Sequence, residues 1–285
     1  MEVAMLELRG VPVAKARKEV LIQKIEELAS KGEALGLAIV RIGDDRAAGM
    51  YASFLKKNAE AIGVQTTLFE LGNDATQEEV NSLFDTLSND NSIHGVLPLL
   101  PPPKHIDVEE MLTHLHYSKD IDGLTIHSKG LFWANKGGFV PATPRAVMAI
   151  LHHYHIPILD KKVVVIGRSQ VVGKPVASLL LAEGAWISVC HSQTKNLVGF
   201  LQEADIVVSA VGIPHLVEGS MLKEGAVVLD VGINELNGET VGDVNYESAL
   251  PYVSAITPVP GGVGSVTTTM ILEALYSAYE ARRNA

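Results

Sequence analysis

Short, nearly unbroken apolar runs recur along this chain: LGLAIVRIG (35–43), IHGVLPLL (93–100), VVVIG (163–167), DIVVSAVG (205–212) and AVVLDVGI (226–233). A run of this length that is apolar at almost every position suits a strand covered on both faces, which is the environment of a parallel sheet. Segments with helical spacing lie between them, including KARKEVLIQKIEELASKG (15–32), about Met50 to Ile62, TQEEVNSLFDTLSND (76–90) and TPRAVMAILHHYHI (143–156). Strand and helix alternate, so the expected class is α/β with parallel sheets flanked by helices. The register restarts near residue 140, which predicts two α/β domains, and the last segment, VTTTMILEALYSAYEARR (266–283), predicts a long helix.

The remaining global properties narrow the function. Lysine and arginine number 23 against 33 acidic residues, a formal charge of −10. Nucleic-acid binding needs a basic footprint, so no nucleic-acid partner is expected. The single cysteine, Cys190, permits no internal disulfide, and it ends an apolar run where a buried thiol is expected. No apolar run reaches the roughly 18 residues of a membrane helix, and MEVAMLELRGVPVAKARKEV resembles neither a secretory signal nor a transit peptide. A cytoplasmic protein without membrane contact is the expectation. The histidine groups HLHYS (114–118) and HHYHI (152–156) lack a completing carboxylate or cysteine set, so they read as surface and no metal site is expected.

The stretch VVVIGRSQVVGKP (163–175) predicts a strand, a tight turn and a helix. That arrangement seats a pyrophosphate on helix N–H groups. Gly167 fits the first glycine of the dinucleotide fingerprint, Ser169 stands in the second glycine's place, and Gly173 comes one residue late. An enzyme using NAD places an acid about 20 residues after the first glycine, to hold the ribose 2′-hydroxyl. Here the next strand ends VCHSQT (189–194), with no acid, while Arg168 projects from the turn itself. A cation and hydroxyls without a repelling carboxylate suit a 2′-phosphate, so NADP is expected over NAD.

Tyr51 opens MYASFLKKNAEAIGV (50–64). At about 100° per residue, its partners on one helix face lie three and four places on. Those places hold Phe54 and Leu55, whereas Lys56 and Lys57 point elsewhere. No tyrosine–lysine pair forms on this face. A short-chain dehydrogenase is disfavoured too, because its Tyr/Lys pair follows the glycine turn and Tyr51 precedes Gly167 by 116 positions.

Over nearly its full length the chain resembles the bifunctional methylenetetrahydrofolate dehydrogenase/methenyltetrahydrofolate cyclohydrolase family. The resemblance is carried by SKDIDGLT (118–125), PATPRAV (141–147), VVVIGRSQVVGKPVASLL (163–180), VLDVGIN (228–234), VGDVNYE (241–247) and ITPVPGGVG (256–264). It implies a folate-binding catalytic domain of residues 1–143 plus 267–285 and a Rossmann-like NADP-binding domain of residues 144–266, with the active-site cleft between them. It implies a tetrahydrofolate one-carbon substrate and a homodimer. By the same resemblance Gly167, Arg168, Ser169, Gly173 and Ser192 serve the cofactor, and Ile233 makes a backbone contact with its nicotinamide. Tyr51 orients the pterin and Asp122 hydrogen-bonds its amide edge, as the catalytic pair. Leu55, Leu99, Pro258, Gly261 and Gly262 fall at substrate-lining positions.

The chain departs from the family pattern on the folate side. Leu55 stands where the motif has lysine, Leu99 where it has glutamine, Ala48 where it has serine, and Ser265 and Val266 where it has Pro-Met. Hydride transfer needs donor and acceptor held in line. Hydrolysis of the methenyl group also needs a proton carried by a side chain, and the leucines cannot do that. The expectation is an NADP-dependent dehydrogenase with weak or lost cyclohydrolase activity. A fully bifunctional enzyme, and a non-catalytic or altered-substrate paralogue that binds nucleotide or folate, are the alternatives.

Overall fold

A computed structural model describes residues 5–283. In chain order the strands are β1 (Leu6–Glu7), β2 (Gly36–Ile42), β3 (Gln65–Leu71), β4 (Gly95–Pro98), β5 (Lys162–Ile166), β6 (Trp186–Cys190), β7 (Ile206–Ser209), β8 (Ala226–Asp230), β9 (Asn234–Leu236), β10 (Glu239–Val241) and β11 (Val253–Ile256). The helices are α1 (Gly10–Ser30), α2 (Arg46–Glu60), α3 (Gln77–Asn89), α4 (Val108–Thr113), α5 (Ile126–Trp133), α6 (Ala142–His153), α7 (Gly173–Ala182), α8 (Leu197–Leu201), α9 (Tyr246–Ala249) and α10 (Gly264–Arg283). None of the described helices is long and apolar enough to cross a membrane.

The chain divides into two compact units. One comprises the described residues of Met1–Ala16 together with Ala142–Met270; the other comprises Arg17–Pro141 and the described residues from Ile271 onward. The boundaries therefore fall inside α1 and α10. The described residues before Arg17 fall in one unit with Ala142–Met270, whereas the resemblance groups them with the catalytic half. The reason is β1: its two residues pair in parallel with Ala255 and Ile256 of β11. Two residues are too short for any periodicity to reveal a strand.

The larger unit holds a six-stranded parallel sheet, ordered β1-β11-β8-β7-β5-β6. Counting from β5, the order of the contiguous strands is 2-1-3-4-5, the doubly wound arrangement whose ligand crevice opens where β5 and β7 diverge. Its core is built from the apolar runs seen in the sequence, among them Val164, Ile166, Val207, Val228 and Ile256. The β9–β10 hairpin turns on Asn237 and Gly238, both at positive φ (54° and 82°), as an Asn-Gly hairpin turn requires.

The smaller unit holds a three-stranded parallel sheet, ordered β3-β2-β4, with its switch point between β2 and β4. Every residue of β2 except Arg41 is buried, as the unbroken apolar run predicts. The helices around it are capped by their own sequence. The Asp45 carboxylate accepts from Ala48 N at 2.7 Å ahead of α2. Thr76 and Glu79 form a reciprocal capping box ahead of α3.

Candidate active site

In the larger unit the glycine turn after β5 is fixed by steric necessity. Gly167 has φ +114°, and a Cβ there would lie 2.4 Å from Ala210 O. A Cβ on Gly173 would lie 2.2 Å from Gly167 O and 3.0 Å from Arg168 N. The first turn of α7 thus folds directly onto the strand end, and only glycine fits. The Ser169 hydroxyl accepts from Val172 N (3.1 Å) and Gly173 N (3.3 Å), which holds the turn closed. Arg168 and Ser169 remain exposed. This cradle fits the pyrophosphate of a dinucleotide.

The neighbouring strand completes the cofactor side. Ile166 is in register with Cys190, and Gly167 N donates to Cys190 O at 2.8 Å. Arg168 and Ser192 therefore leave the sheet from adjacent strand ends. The turn after β6 is closed by His191 N donating to the Thr194 hydroxyl (2.9 Å), and Ser192 is exposed in it. No acid stands at this strand end. Cys190 itself is buried, and burial pushes its thiol up from the ordinary range.

Beyond the switch point, Ile233 follows β8 and is 70% exposed. Pro258, Gly261 and Gly262 follow β11. Gly261 has φ +107°, and its carbonyl accepts from Gly10 N at 2.8 Å. A Cβ on Gly262 would lie 2.5 Å from Pro258 O, and one on Gly10 would lie 2.1 Å from Gly262 O. The glycine-rich loop is thus packed, backbone on backbone, against the start of α1.

Sequence reasoning passed over two acids in this unit. Asp230, at the end of β8, is 3% exposed, and its carboxylate accepts from Gly232 N (3.0 Å), Asp243 N (3.1 Å) and Val244 N (2.8 Å). Burial pushes it up to about 7, against the lowering effect of those N–H groups. Asp243 is fully buried and accepts from four donors. The signal was present: an acid interrupts the apolar run AVVLDVGI, and a buried acid must find donors.

In the smaller unit the positions expected to serve the substrate lie near the carboxyl ends of the strands. Tyr51 lies on α2, directly after β2, and is half-buried. Leu99 follows β4, where its N–H donates to Val40 O at 2.8 Å. Asp120 bridges to Val96 of β4, which brings Asp122 to the same sheet end. The segment KDIDGLT divides its labour. Asp120 is buried and accepts from Leu124 N (2.9 Å) and Thr125 N (2.7 Å), so it shapes the turn. Lys119 is buried and its ammonium donates to Leu87 O (2.7 Å) and Asp90 O (2.6 Å). Asp122 is the acid of this turn that remains half-exposed.

Leu55 is fully buried, in one stripe with Ala52 and Ala59. Lys56 lies off this stripe, 3.8 Å from Glu60 on the helix surface. No lysine of α2 occupies Leu55's place, in keeping with the helical geometry read from the sequence.

Known proteins share this architecture. Residues 8–122 match the family model for the tetrahydrofolate dehydrogenase/cyclohydrolase catalytic domain, and residues 141–283 match that of its NAD(P)-binding domain. The bifunctional protein FolD of Lactobacillus acidophilus is 42% identical over 268 residues, covering 94% of this chain and 95% of that protein. The bifunctional FolD methylenetetrahydrofolate dehydrogenase/cyclohydrolase structure from Campylobacter jejuni superposes with a TM-score of 0.95 at 40% identity, over 98% of this chain and 100% of that one. The Trypanosoma brucei methylenetetrahydrofolate dehydrogenase-cyclohydrolase, solved with NADP and an inhibitor, gives a TM-score of 0.93 at 34% identity over 99% of both chains. With both family domains matched in order and the dinucleotide cradle built where the second one requires it, this chain belongs to the tetrahydrofolate dehydrogenase/cyclohydrolase family.

Proposed function

We propose that this chain oxidises 5,10-methylenetetrahydrofolate to 5,10-methenyltetrahydrofolate with NADP as acceptor, and that its capacity to hydrolyse the methenyl product is weak or lost. NADP, when bound, accepts the hydride that leaves the folate methylene carbon with its electron pair. Gly167, Ser169 and Gly173 would hold the pyrophosphate, and Arg168 and Ser192 the 2′-phosphate. Ile233 would meet the nicotinamide end through its backbone. The relative from Trypanosoma brucei, which holds NADP, supports this choice of cofactor.

On the folate side Tyr51 would orient the pterin and Asp122 would accept from its amide edge. Pro258, Gly261 and Gly262 would line the substrate with backbone. None of these groups has to move a proton for hydride transfer. Hydrolysis differs, because water must be activated and a folate nitrogen protonated, work for which general acid–base groups typically contribute about 10²- to 10⁴-fold. The observation that carries the second half of the proposal is Leu55. It fills its position with buried hydrocarbon, and Leu99 adds no polar atom. The similar FolD proteins are named bifunctional, so the proposal rests on these two positions.

One assay tests both halves. Purified protein is mixed with methylenetetrahydrofolate and NADP or NAD, and methenyl absorbance is followed in the near ultraviolet. Rapid NADP-linked formation is expected, followed by decay of the product, and of added methenyl compound, at the buffer rate. Enzymatic decay well above that rate would make the protein fully bifunctional. Absence of formation with either cofactor would leave a binding protein.

We also infer a homodimer working in a reducing compartment such as the cytoplasm. A single buried cysteine supports the compartment. The outer side of β6 supports the dimer: β6 is an edge strand of the six-stranded sheet and carries Trp186, 69% exposed, with Leu181 and Phe200 nearby also exposed. These residues line a groove of about 760 Å³. An open edge strand bordered by large apolar side chains is a surface that a second chain would cover.

A further inference from the structure

The Asp243 carboxylate lies beneath two loops that the proposed reaction would use, and resting on that reading we infer that Asp243 is a positioning residue for the nicotinamide half of the cofactor. Ser209 ends β7 and is in register with Asp230, which ends β8. The adenosine half is placed by Arg168 and Ser192 at the ends of β5 and β6. The crevice runs along the carboxyl ends of the strands, so the other half extends over β7 and β8.

One carboxylate ties the loops after those two strands together. Its Oδ2 accepts from the Ser209 hydroxyl (3.1 Å) and Val211 N (2.8 Å). Its Oδ1 accepts from Ile213 N (3.0 Å) and the Asn234 side-chain amide (3.1 Å). Ser209 is the last residue of β7, Val211 and Ile213 lie in the loop after it, and Asn234, next to Ile233, opens β9 directly after the loop that follows β8. The contact is close enough that a Cβ on Gly232 would lie 2.1 Å from Oδ1. The backbone carrying Ile233 thus rests directly on this acid.

All four partners are donors, and a carboxylate is the side chain of this size that accepts at both ends. An asparagine would turn an NH₂ group onto two of them. A misplacement of about 1 Å in a hydride-transfer geometry can cost on the order of 10²-fold in rate. The device would therefore act on the rate more than on cofactor affinity.

The test compares wild type with Asp243→Asn using two probes. Adenosine 2′,5′-bisphosphate occupies only the adenosine half, while NADPH reports its nicotinamide environment by its own fluorescence. Asp243→Asn is expected to bind adenosine 2′,5′-bisphosphate within about threefold of wild type. Its bound NADPH should fluoresce as in free solution, and kcat should fall on the order of 10- to 100-fold with little change in KM for NADP. Asn234→Ala removes one donor and leaves the charge. It should show the same pattern in weaker form, and it carries the test if Asp243→Asn fails to fold. Parallel loss at both halves would make Asp243 a merely structural acid and overturn the inference, as would unchanged fluorescence and kcat. A wild type that binds NADPH without oxidising methylenetetrahydrofolate would sink the proposed reaction, while the fluorescence comparison still decides on Asp243. A wild type that binds neither probe would overturn both.

Discussion

The main-chain N–H of Asp243 donates to the carboxylate of Asp230 at 3.1 Å, so one buried acid fixes the backbone of the other. A Cβ on Gly242, between the β10 hairpin strand and Asp243, would lie 1.9 Å from Asp230 Oδ2. The segments VLDVGIN and VGDVNYE are locked to each other through these acids, with Gly232 packed on Asp243 and Gly242 on Asp230.

Asp230 should make stability depend on pH. Its carboxyl is pushed up to about 7 by burial, well above its ordinary value of 3.8. Between these values the folded chain keeps a proton that the unfolded chain has released, so this contribution is full below about 4 and is lost as pH rises through 7. Urea denaturation of wild type and Asp230→Asn from pH 4.5 to 8 should show the wild-type advantage shrinking as pH rises. A constant difference would contradict this.

Arg168→Ala should weaken NADP selectively. A hydrogen bond to a charged group is worth about 1.5–3 kcal/mol, which corresponds to a rise of roughly 10- to 100-fold in KM for NADP. NAD, lacking the 2′-phosphate, should be affected about twofold or less. Steady-state kinetics with both cofactors decides the matter, and equal losses would remove Arg168 from the 2′-phosphate site.

Leu55→Lys combined with Leu99→Gln should raise methenyltetrahydrofolate hydrolysis by about tenfold or more, the lower range of acid–base catalysis. The change should also destabilise the protein, because position 55 is fully buried and an ammonium there loses its hydration. Methenyl decay and thermal melts on the single and double variants measure the two effects together. Unchanged decay in a folded double variant would count against the role assigned to these positions.

Lys119→Met should destabilise the smaller unit without touching the cofactor side. It leaves the carbonyls of Leu87 and Asp90, at the end of α3, without their ammonium donor. Leu87 O then loses its buried donor, which costs about 1–3 kcal/mol, while Asp90 O keeps Ile93 N at 3.2 Å. Denaturation should show a loss of this order, with affinity for adenosine 2′,5′-bisphosphate unchanged.

Trp186→Glu should yield a monomer. The substitution places a charge in the middle of the exposed apolar rim beside β6, and desolvating it would oppose association. Sedimentation of wild type and variant provides the check, and a dimeric variant would move the interface elsewhere.

Most elements were legible because their cause is local. The apolar run LGLAIVRIG becomes β2 and is buried throughout except at Arg41. VVVIGRSQVVGKP becomes strand, turn and helix because Gly167 and Gly173 admit a backbone approach that no other residue allows. The missing lysine on Tyr51's helix face was equally legible, since helical spacing alone places Leu55 there. The β9–β10 hairpin carried an Asn-Gly signal in ELNGE that strand-and-helix alternation obscured.

The sequence by itself determined the α/β class, the glycine cradle, the absence of an acid beside it and the leucine four places after Tyr51. Each follows from residues a few positions apart. Only the tertiary structure decided that β1 joins the larger sheet beside β11, that the strands run in the order 2-1-3-4-5, and that Asp230 and Asp243 meet beneath the loops after β7 and β8. Burial and strand order depend on which distant segments come together, and spacing along the chain does not carry that information.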